Sequence, residues 1–401
     1  MNRGKYMQEI IKKTIENNME SYKKIVKTLY ENPELGNQEF KAQKLLTDYL
    51  KSAGFEVQSG VAVPTDFVAK YSSKKEGPKI AFMCEYDALP VVGHGCGHNL
   101  IAGIGVAAGE GLKSVIDEVG GEVYVFGTPA EENFGGKVSM SKAGLFNNID
   151  AALMLHPATQ NGLGSDSNAL YPLKFEFFGK TAHSCNAYMG NSALDAAVMT
   201  YQGINMLRQF AKPKQRVFIH GVIKNGGEAA NVIPDYSSME YYFRAKTISY
   251  AMELAKKATS IAEGACLATG TTLKTSVYEC PYEDTVLNYK LGEILKEKFI
   301  EEGIEDIKPI ETDSGGSTDV GAVSYICPTI QGYIKIADSE VAGHSIEMAD
   351  ATVSEVGTKA LYIGAVVLAK LGLSLIQDKN LLDEVKKEQK ERLAAIEQSA
   401  T

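Results

Sequence analysis

The order of the predicted helices and strands is the feature that most constrains the fold of this chain. After a helical segment at about 7–30, helices alternate with short apolar strands such as 79–84, 122–126 and 151–155. This alternation indicates an α/β domain with a largely parallel sheet. The middle of the chain instead reads β-α-β-β-α-β, which is typical of a ferredoxin-like α+β unit. The helix-strand alternation resumes after about residue 284.

These two patterns predict that one domain is inserted into another. The fold class is α/β, with a mainly parallel sheet formed by residues 1–170 and 284–401 and an inserted α+β domain formed by residues 171–283. A length of 401 residues fits two domains.

Composition and charge exclude several classes of protein. The 41 Lys and Arg against 50 Asp and Glu give a net charge of −9, which disfavours binding to nucleic acid because phosphates need clustered cations. The beginning of the chain is charged throughout, unlike a signal peptide, and no uninterrupted apolar run predicts a membrane span. The six cysteines form no C-x-x-C pair, so we expect a reduced, cytoplasmic protein.

Carboxylates and imidazoles follow several predicted strands of the α/β domain. A Gly-rich segment, 93–99, adds a thiol and two further imidazoles just before a helix. Open α/β sheets bind ligands at the carboxyl ends of their strands, so we expect these side chains to share one crevice. The residues concerned are Glu85, Asp87, His94, Cys96, His98, Glu131, Glu132, His156 and His344.

Each of these residues taken alone is more often a turn, surface or core residue than a ligand. Together they include four of the six histidines, and imidazole, thiolate and carboxylate are the ligands of Zn²⁺ and similar ions. The adjacent Glu131 and Glu132 point in different directions in an extended or turning backbone. One can bind metal while the other moves protons, which suits metal-assisted hydrolysis.

Seven segments of the chain resemble motifs of the M20 metallopeptidases, in the family's order. The resemblance is to the amidohydrolase branch that uses Cys as a metal ligand, and within it to the group of aminoacylase-1-like protein 2 and p-aminobenzoyl-glutamate hydrolase. The segments are Glu85–Pro90, Gly93–Leu100, Gly127–Glu132, Lys180–Ser184, Asn231–Asp235, Gly316–Val320 and Gly343–Ser345.

The resemblance implies a catalytic domain with two divalent metal ions, Zn²⁺ or Mn²⁺, and an inserted lid or dimerisation domain. It implies that Cys96 bridges the two ions as a thiolate, that Glu131 is the general base and then the acid, and that Asp87 orients a ligand imidazole. The remaining metal ligands implied are His98, Glu132, His156 and His344.

The inserted domain also contributes to the site that the resemblance implies. His183 is expected to reach across a homodimer and stabilise the oxyanion of the partner's tetrahedral intermediate, while Asn231 and Arg244 hold the substrate. A guanidinium at Arg244 could grip a carboxylate, although a surface salt bridge explains it equally well. The expected reaction is cleavage of an N-acyl or N-aroyl amino acid, or of a small unusual dipeptide.

Alternatives remain open at the level of sequence. His94 could exchange roles with His98, and Glu85 stands where many relatives in the wider branch have Asp. A thiol hydrolase with Cys96 as its nucleophile is a second hypothesis, and a non-catalytic ligand-binding member is a third. The thiol mechanism leaves Glu131, Glu132 and two histidines without a function.

Overall fold

The computed structural model describes residues 3–400 as two compact units. The first unit comprises Met1–Asp166, Thr285–Ser314 and Asp319–Thr401, and the second comprises Ser167–Asp284 and Gly315–Thr318. The helices are α1 (Arg3–Asn17), α2 (Met19–Glu31), α3 (Phe40–Ser52), α4 (His98–Val119), α5 (Gly136–Lys142), α6 (Ala193–Leu207), α7 (Ile248–Thr269), α8 (Tyr289–Glu301), α9 (Val320–Ser324), α10 (Ile346–Thr352), α11 (Glu355–Gln377) and α12 (Lys379–Ala400). The strands are β1 (Glu56–Ser59), β2 (Phe67–Ser72), β3 (Lys79–Cys84), β4 (Glu122–Gly127), β5 (Ala151–Ala158), β6 (Asn161–Gly162), β7 (Ala169–Phe178), β8 (Phe218–Asn225), β9 (Tyr236–Ala245), β10 (Thr272–Ser276), β11 (Ile307–Lys308) and β12 (Thr329–Lys335).

The first unit is built on an eight-stranded sheet with the order β1-β2-β4-β3-β5-β12-β6-β11. The central strands β4, β3, β5 and β12 are parallel to one another, whereas β1 and β2 pair antiparallel at one edge. The parallel pairing aligns the carboxyl ends of these central strands along one edge of the sheet, which is where the predicted site residues begin.

Both faces of this sheet are covered, which explains why β3 is apolar along most of its length. Alternate residues of β3 point to opposite faces: Ile80 and Phe82 pack into one apolar cluster, and Ala81 and Met83 into another. The first cluster includes the buried faces of α1, α4 and α11.

Helix α4 packs against the sheet at very short range because it has glycines on its inner face. A Cβ atom at Gly105 would lie 2.4 Å from the Sγ atom of Cys84, and one at Gly109 would lie 2.3 Å from a methyl of Val125. No side chain fits at these distances, so these glycines allow the close approach of the helix to β3 and β4. The same helix begins at His98.

The second unit has an antiparallel sheet with the order β10-β7-β9-β8 and two helices, α6 and α7. The chain order β7-α6-β8-β9-α7-β10 is the predicted ferredoxin-like arrangement. The predicted fold class, a mainly parallel α/β sheet with an inserted α+β unit, is therefore confirmed.

Two helices, α4 and α11, are long and apolar enough to cross a membrane. Their most apolar windows are 83% and 78% buried inside the protein. Because core helices of soluble proteins have the same composition and burial, these segments are weak candidates for membrane spans.

Candidate active site

The segment after β3 brings a carboxylate to the imidazole of His98. Asp87 is buried, and its Oδ1 atom lies 3.0 Å from Nδ1 of His98, while its Oδ2 atom accepts a hydrogen bond of 3.0 Å from the backbone N–H of Glu132. A carboxylate at Nδ1 fixes the imidazole so that Nε2 faces away from it, as in carboxylate–histidine–metal arrangements. Asp87 therefore lies where an orienting residue is expected.

The Gly-rich loop before α4 places Cys96 beside the end of β5. Gly97 has φ +84°, a left-handed conformation that favours glycine, and a Cβ atom there would lie 2.8 Å from the ring of Pro157. The backbone N–H of His344 donates to the carbonyl of Gly95 at 3.0 Å. This contact ties the late loop that carries His344 to the loop that carries Cys96.

The turn after β4 positions the two adjacent glutamates. Ala130 has φ +60°, which is unusual for a residue with a side chain. Its backbone N–H donates to the buried carboxyl group of Glu39 at 2.9 Å. Glu39 thus helps to hold the turn from which Glu131 and Glu132 project.

Strand β5 ends with His156. Its Nδ1 atom lies 2.7 Å from the carbonyl oxygen of Pro157, which directs Nε2 toward Cys96 at 3.4 Å from the Sγ atom. Strand β5 extends three residues past the predicted end of the strand at 155, so that His156 lies within it.

Three overlapping groups of side chains could hold metal ions, and in each group the ligand atoms lie within 4.8 Å of one another. The groups, found among residues 3–400, are Cys96 with His98 and His156, Cys96 with Glu132 and His344, and His98 with Glu131 and Glu132. Each of the five metal ligands implied by the resemblance belongs to at least one group, and so does Glu131.

His94 belongs to none of these groups within the described part of the chain. It is buried, and burial lowers the pKa of its imidazole to about 3. The geometry thus favours His98 over His94 as a ligand.

Burial controls the protonation of the thiol and the imidazoles in this cluster. It raises the pKa of Cys96 to about 12 and lowers the pKa of His156. Burial also acts to lower the pKa of His98, but the negative charges of Asp87, Cys96 and Glu85 outweigh it and raise that pKa well above the usual value. A protein-bound metal ion would reverse the state of Cys96, because coordination deprotonates a thiol.

Glu131 has a strongly perturbed carboxyl group. Burial is the main cause that raises its pKa well above the ordinary value, and the negative charges of Glu85 and Asp319 raise it further. Raised carboxyl pKa values of this kind are typical of groups that take up and return protons near neutral pH.

A buried lysine lies directly behind this cluster, and the sequence patterns assigned it no role. The Nζ atom of Lys137 lies 2.6 Å from Oε1 of Glu85 and 2.6 Å from Oδ1 of Asp319, and all three side chains are at most 1% exposed. Asp319 lies inside one of the seven motif segments, and Lys137 follows the Glu131–Glu132 pair by five residues. Charged residues without a function inside or beside matched segments were the signal that could have found them.

The second unit contains the other three predicted residues. His183 is exposed, forms a backbone bridge with Val232, and its neighbour Ser184 donates from its N–H to the carbonyl of Asn231 at 2.9 Å. His183 and Asn231 therefore lie on adjacent segments of this unit. Arg244 is half-buried on β9, with its guanidinium 5.6 Å from the ring centre of Tyr242.

Comparison with known proteins extends the resemblance to nearly the whole chain. No family model matches the chain. It is 37% identical to the Xaa-Arg dipeptidase of Mus musculus over 383 residues, which are 92% of this chain and 88% of that protein. It is also 32% identical to a p-aminobenzoyl-glutamate hydrolase of Escherichia coli (strain K12) over 308 residues, which are 71% of this chain and 62% of that protein.

A solved structure shows the same fold. It is a dinuclear metal-binding peptidase from the M20 family of Bacillus subtilis, with a TM-score of 0.66 and 18% identity over 90% of this chain and 99% of that one. The identity of the two curated relatives, over more than two thirds of this chain, carries the assignment further than the fold does. The chain belongs to the M20 family of metal-dependent amidohydrolases and peptidases.

Proposed function

We propose that this protein hydrolyses the amide bond of a dipeptide or of an N-acyl or N-aroyl amino acid and releases the free amino acid. The observation that carries this proposal is the meeting of Cys96, three imidazoles and two adjacent carboxylates in three overlapping groups within 4.8 Å. The activities in the names of the relatives, a dipeptidase and an aminobenzoyl-glutamate hydrolase, support this substrate class.

Two divalent metal ions fit the donor set. Cys96 is the one residue common to two groups that otherwise share no member, His98 with His156 and Glu132 with His344. A thiolate bridging two ions, each completed by one of these pairs, accounts for this overlap. Zn²⁺ or Mn²⁺ suits such mixed thiolate, imidazole and carboxylate ligands.

Buried atoms without partners support the same interpretation. Nε2 of His98 and Oε1 of Glu132 are buried and make no hydrogen bond to other described residues. Because a buried polar atom without a partner costs about 1–3 kcal/mol, such atoms are best explained as ligands. The ions would polarise the scissile carbonyl and activate the attacking water.

Glu131 is proposed as the proton carrier. Its neighbour Glu132 belongs to the group with Cys96 and His344, whereas Glu131 belongs only to the group with His98 and Glu132. Glu131 would accept a proton from the attacking water and return it to the nitrogen of the leaving amine. A raised carboxyl pKa favours this second step because the protonated acid then persists near neutral pH.

His183 is proposed as the oxyanion donor, acting across a homodimer. Its Nδ1 atom accepts a hydrogen bond from the backbone N–H of Cys185 at 3.3 Å and contacts the Cys185 thiol at 2.9 Å. A neutral imidazole that accepts at Nδ1 carries its proton on Nε2 and can donate from there. Asn231 and Arg244 are proposed to hold the substrate, with Arg244 binding its carboxylate.

Exposed apolar side chains in the second unit support a dimer. Strand β8 lies at the edge of its sheet and exposes Val222 and Ile223, and helix α6 exposes Met199 and Met206. Apolar residues at an open sheet edge mark sites of association. The six cysteines form no disulfide among the described residues, which supports a reducing compartment such as the cytoplasm.

The thiol-hydrolase alternative is not favoured. Cys96 contacts His156, as a thiol nucleophile contacts its base, but burial raises the pKa of Cys96 to about 12. Reactive cysteines have lowered pKa values. The non-catalytic alternative lacks support as well, because neither a ligand nor Glu131 is missing.

The test compares two neighbouring glutamates on the metal-reconstituted protein. We expect Glu131→Gln to retain two metal ions per chain and to lose activity by about 10²–10⁴-fold, the range for a lost general base. Glu132→Gln should lose metal as well as activity. Substrates would be dipeptides with varied carboxyl-terminal residues, N-acetyl amino acids and aminobenzoyl-glutamate, with metal content measured by mass spectrometry.

Chelation provides the second arm. Removal of metal should abolish hydrolysis, and addition of Zn²⁺ or Mn²⁺ should restore it. A metal-free protein that cleaves these substrates at the full rate, or a Glu131→Gln variant with wild-type activity, would contradict the proposal.

A further inference from the structure

Glu85 has one carboxylate oxygen that the protein leaves without a partner. The side chain is 1% exposed, and Oε2 makes no hydrogen bond to the described residues. This atom lies 3.2 Å from Nε2 of His98, which is also buried and has no hydrogen bond. Two polar atoms that approach so closely without bonding to each other are explained if both point to a third atom between them.

The distance fits a shared metal ion. Two donor atoms that each lie about 2.0–2.3 Å from one ion are separated by about 3–4 Å. Pairs among the proposed ligands fall in this range: Sγ of Cys96 and Nε2 of His156 are 3.4 Å apart, and Oε1 of Glu132 and Nε2 of His344 are 3.7 Å apart. The separation of Glu85 from His98 is of the same kind.

Lys137 and Asp319 determine which oxygen of Glu85 is available. Lys137 Nζ binds Oε1 of Glu85 at 2.6 Å, and the lysine is held in turn by Asp319, which contacts its Nζ at 2.6 Å and accepts from its backbone N–H at 3.0 Å. One Glu85 oxygen is thus fixed to a buried cation. The carboxylate cannot rotate without breaking this contact, so Oε2 stays directed toward His98.

We propose that Glu85 is an additional ligand of the ion held by His98, and that Lys137 and Asp319 are positioning residues for it. The proposal rests on the metal site of the proposed function and adds a carboxylate to it. The burial of Lys137 also has a purpose in this arrangement. Without its charge, the carboxylates of Glu85 and Asp319 would repel one another in a site without water.

The main test is Glu85→Gln, which keeps the shape of the side chain and removes its charge. We expect it to weaken binding of one of the two ions by at least 10-fold in a competition with a chelator, while the second ion stays bound. The absorption spectrum of the Co²⁺-loaded variant should also change, because one ligand is replaced. The paired variant Lys137→Met/Asp319→Asn removes one charge of each sign. It should weaken the same ion by about 10–100-fold, as loss of a residue that orients a ligand does.

Glu110→Gln is the matched control. Glu110 is a half-buried carboxylate on the same helix as His98, hydrogen-bonded to the hydroxyls of Tyr22 and Tyr49 at 2.8 Å and 2.6 Å. It lies 12 residues along α4, or about 18 Å at 1.5 Å per residue. This variant should lose stability and keep both metal affinities.

Each outcome decides between the alternatives. Wild-type affinities and a wild-type Co²⁺ spectrum in Glu85→Gln would overturn the assignment while leaving the two-metal site intact. An equal loss of metal in Glu110→Gln would overturn it as well, because the loss would then follow stability. A wild-type protein that binds no metal would instead refute the proposed function.

Discussion

The buried carboxyl group of Glu39 makes the stability of the first unit depend on pH. The side chain is fully buried, with Oε2 accepting from the hydroxyl of Thr65 at 2.8 Å and Oε1 from the N–H of Ala130 at 2.9 Å. Burial is the main cause that raises the pKa of Glu39 from 4.5 to about 7, and its hydrogen bonds oppose the rise only in part. The unfolded chain keeps the ordinary value.

The sign and size follow from this difference. Between pH 4.5 and 7 the folded protein binds a proton that the unfolded chain has released, so the free energy of unfolding falls as the pH rises. A difference of about 2.5 pKa units corresponds to about 3 kcal/mol at 1.36 kcal/mol per unit. The contribution is fully present below pH 4.5 and is lost as the pH passes through 7.

Glu39→Gln removes the titration and keeps an oxygen to accept from Ala130. We expect urea unfolding, followed by circular dichroism because the chain has no Trp, to show that wild type loses about 3 kcal/mol relative to this variant between pH 5 and pH 8. A chelator in all samples removes pH-dependent metal binding. Parallel stability curves for wild type and variant across this range would refute the reasoning.

Three further changes test separate parts of the structure. Asp87→Asn should lower metal affinity about 10–100-fold, because an amide can no longer fix the tautomer of His98 as the carboxylate does; metal titration checks this, and unchanged affinity would count against the role. Gly97→Ala places a Cβ atom 2.8 Å from Pro157 at a left-handed φ, so it should destabilise the apo protein by at least about 1 kcal/mol; a melting curve equal to wild type would contradict this. Val222→Asp puts a charge on the exposed edge strand β8 and should shift the protein from dimer to monomer in light scattering; a wild-type mass would argue against a dimer through this edge.

Much of the fold could be predicted because apolar periodicity reports directly on burial. Strand β3 has the predicted bounds, 79–84, since both of its faces are covered and nearly every residue is apolar. The helix predicted over 7–30 is instead two helices that meet at Asn18. The Asn18 side chain bonds to the carbonyl of Thr14 and to Glu110, which is 92 residues away, and such a distant partner leaves no periodic signal.

The site divides in the same way. Ligand-type residues at strand ends were visible because imidazole and thiol are rare in this chain and topology brings strand ends together. Lys137 was not visible, since a lysine after two glycines is usually solvated. Its two partners come from segments 52 residues before it and 182 residues after it, and only the three-dimensional structure brings them together.

The glycine-lined face of α4 links the interior of the protein to its chemistry. This helix starts at the proposed ligand His98 and rests on β3 and β4 with no space for a methyl group at Gly105 or Gly109. A substitution that lifts the helix would move the imidazole with it, against ligands that are fixed to other strands. Metal affinity can therefore serve as a sensitive gauge of packing deep in the core, and substitutions far from any substrate should be detected first as weaker metal binding.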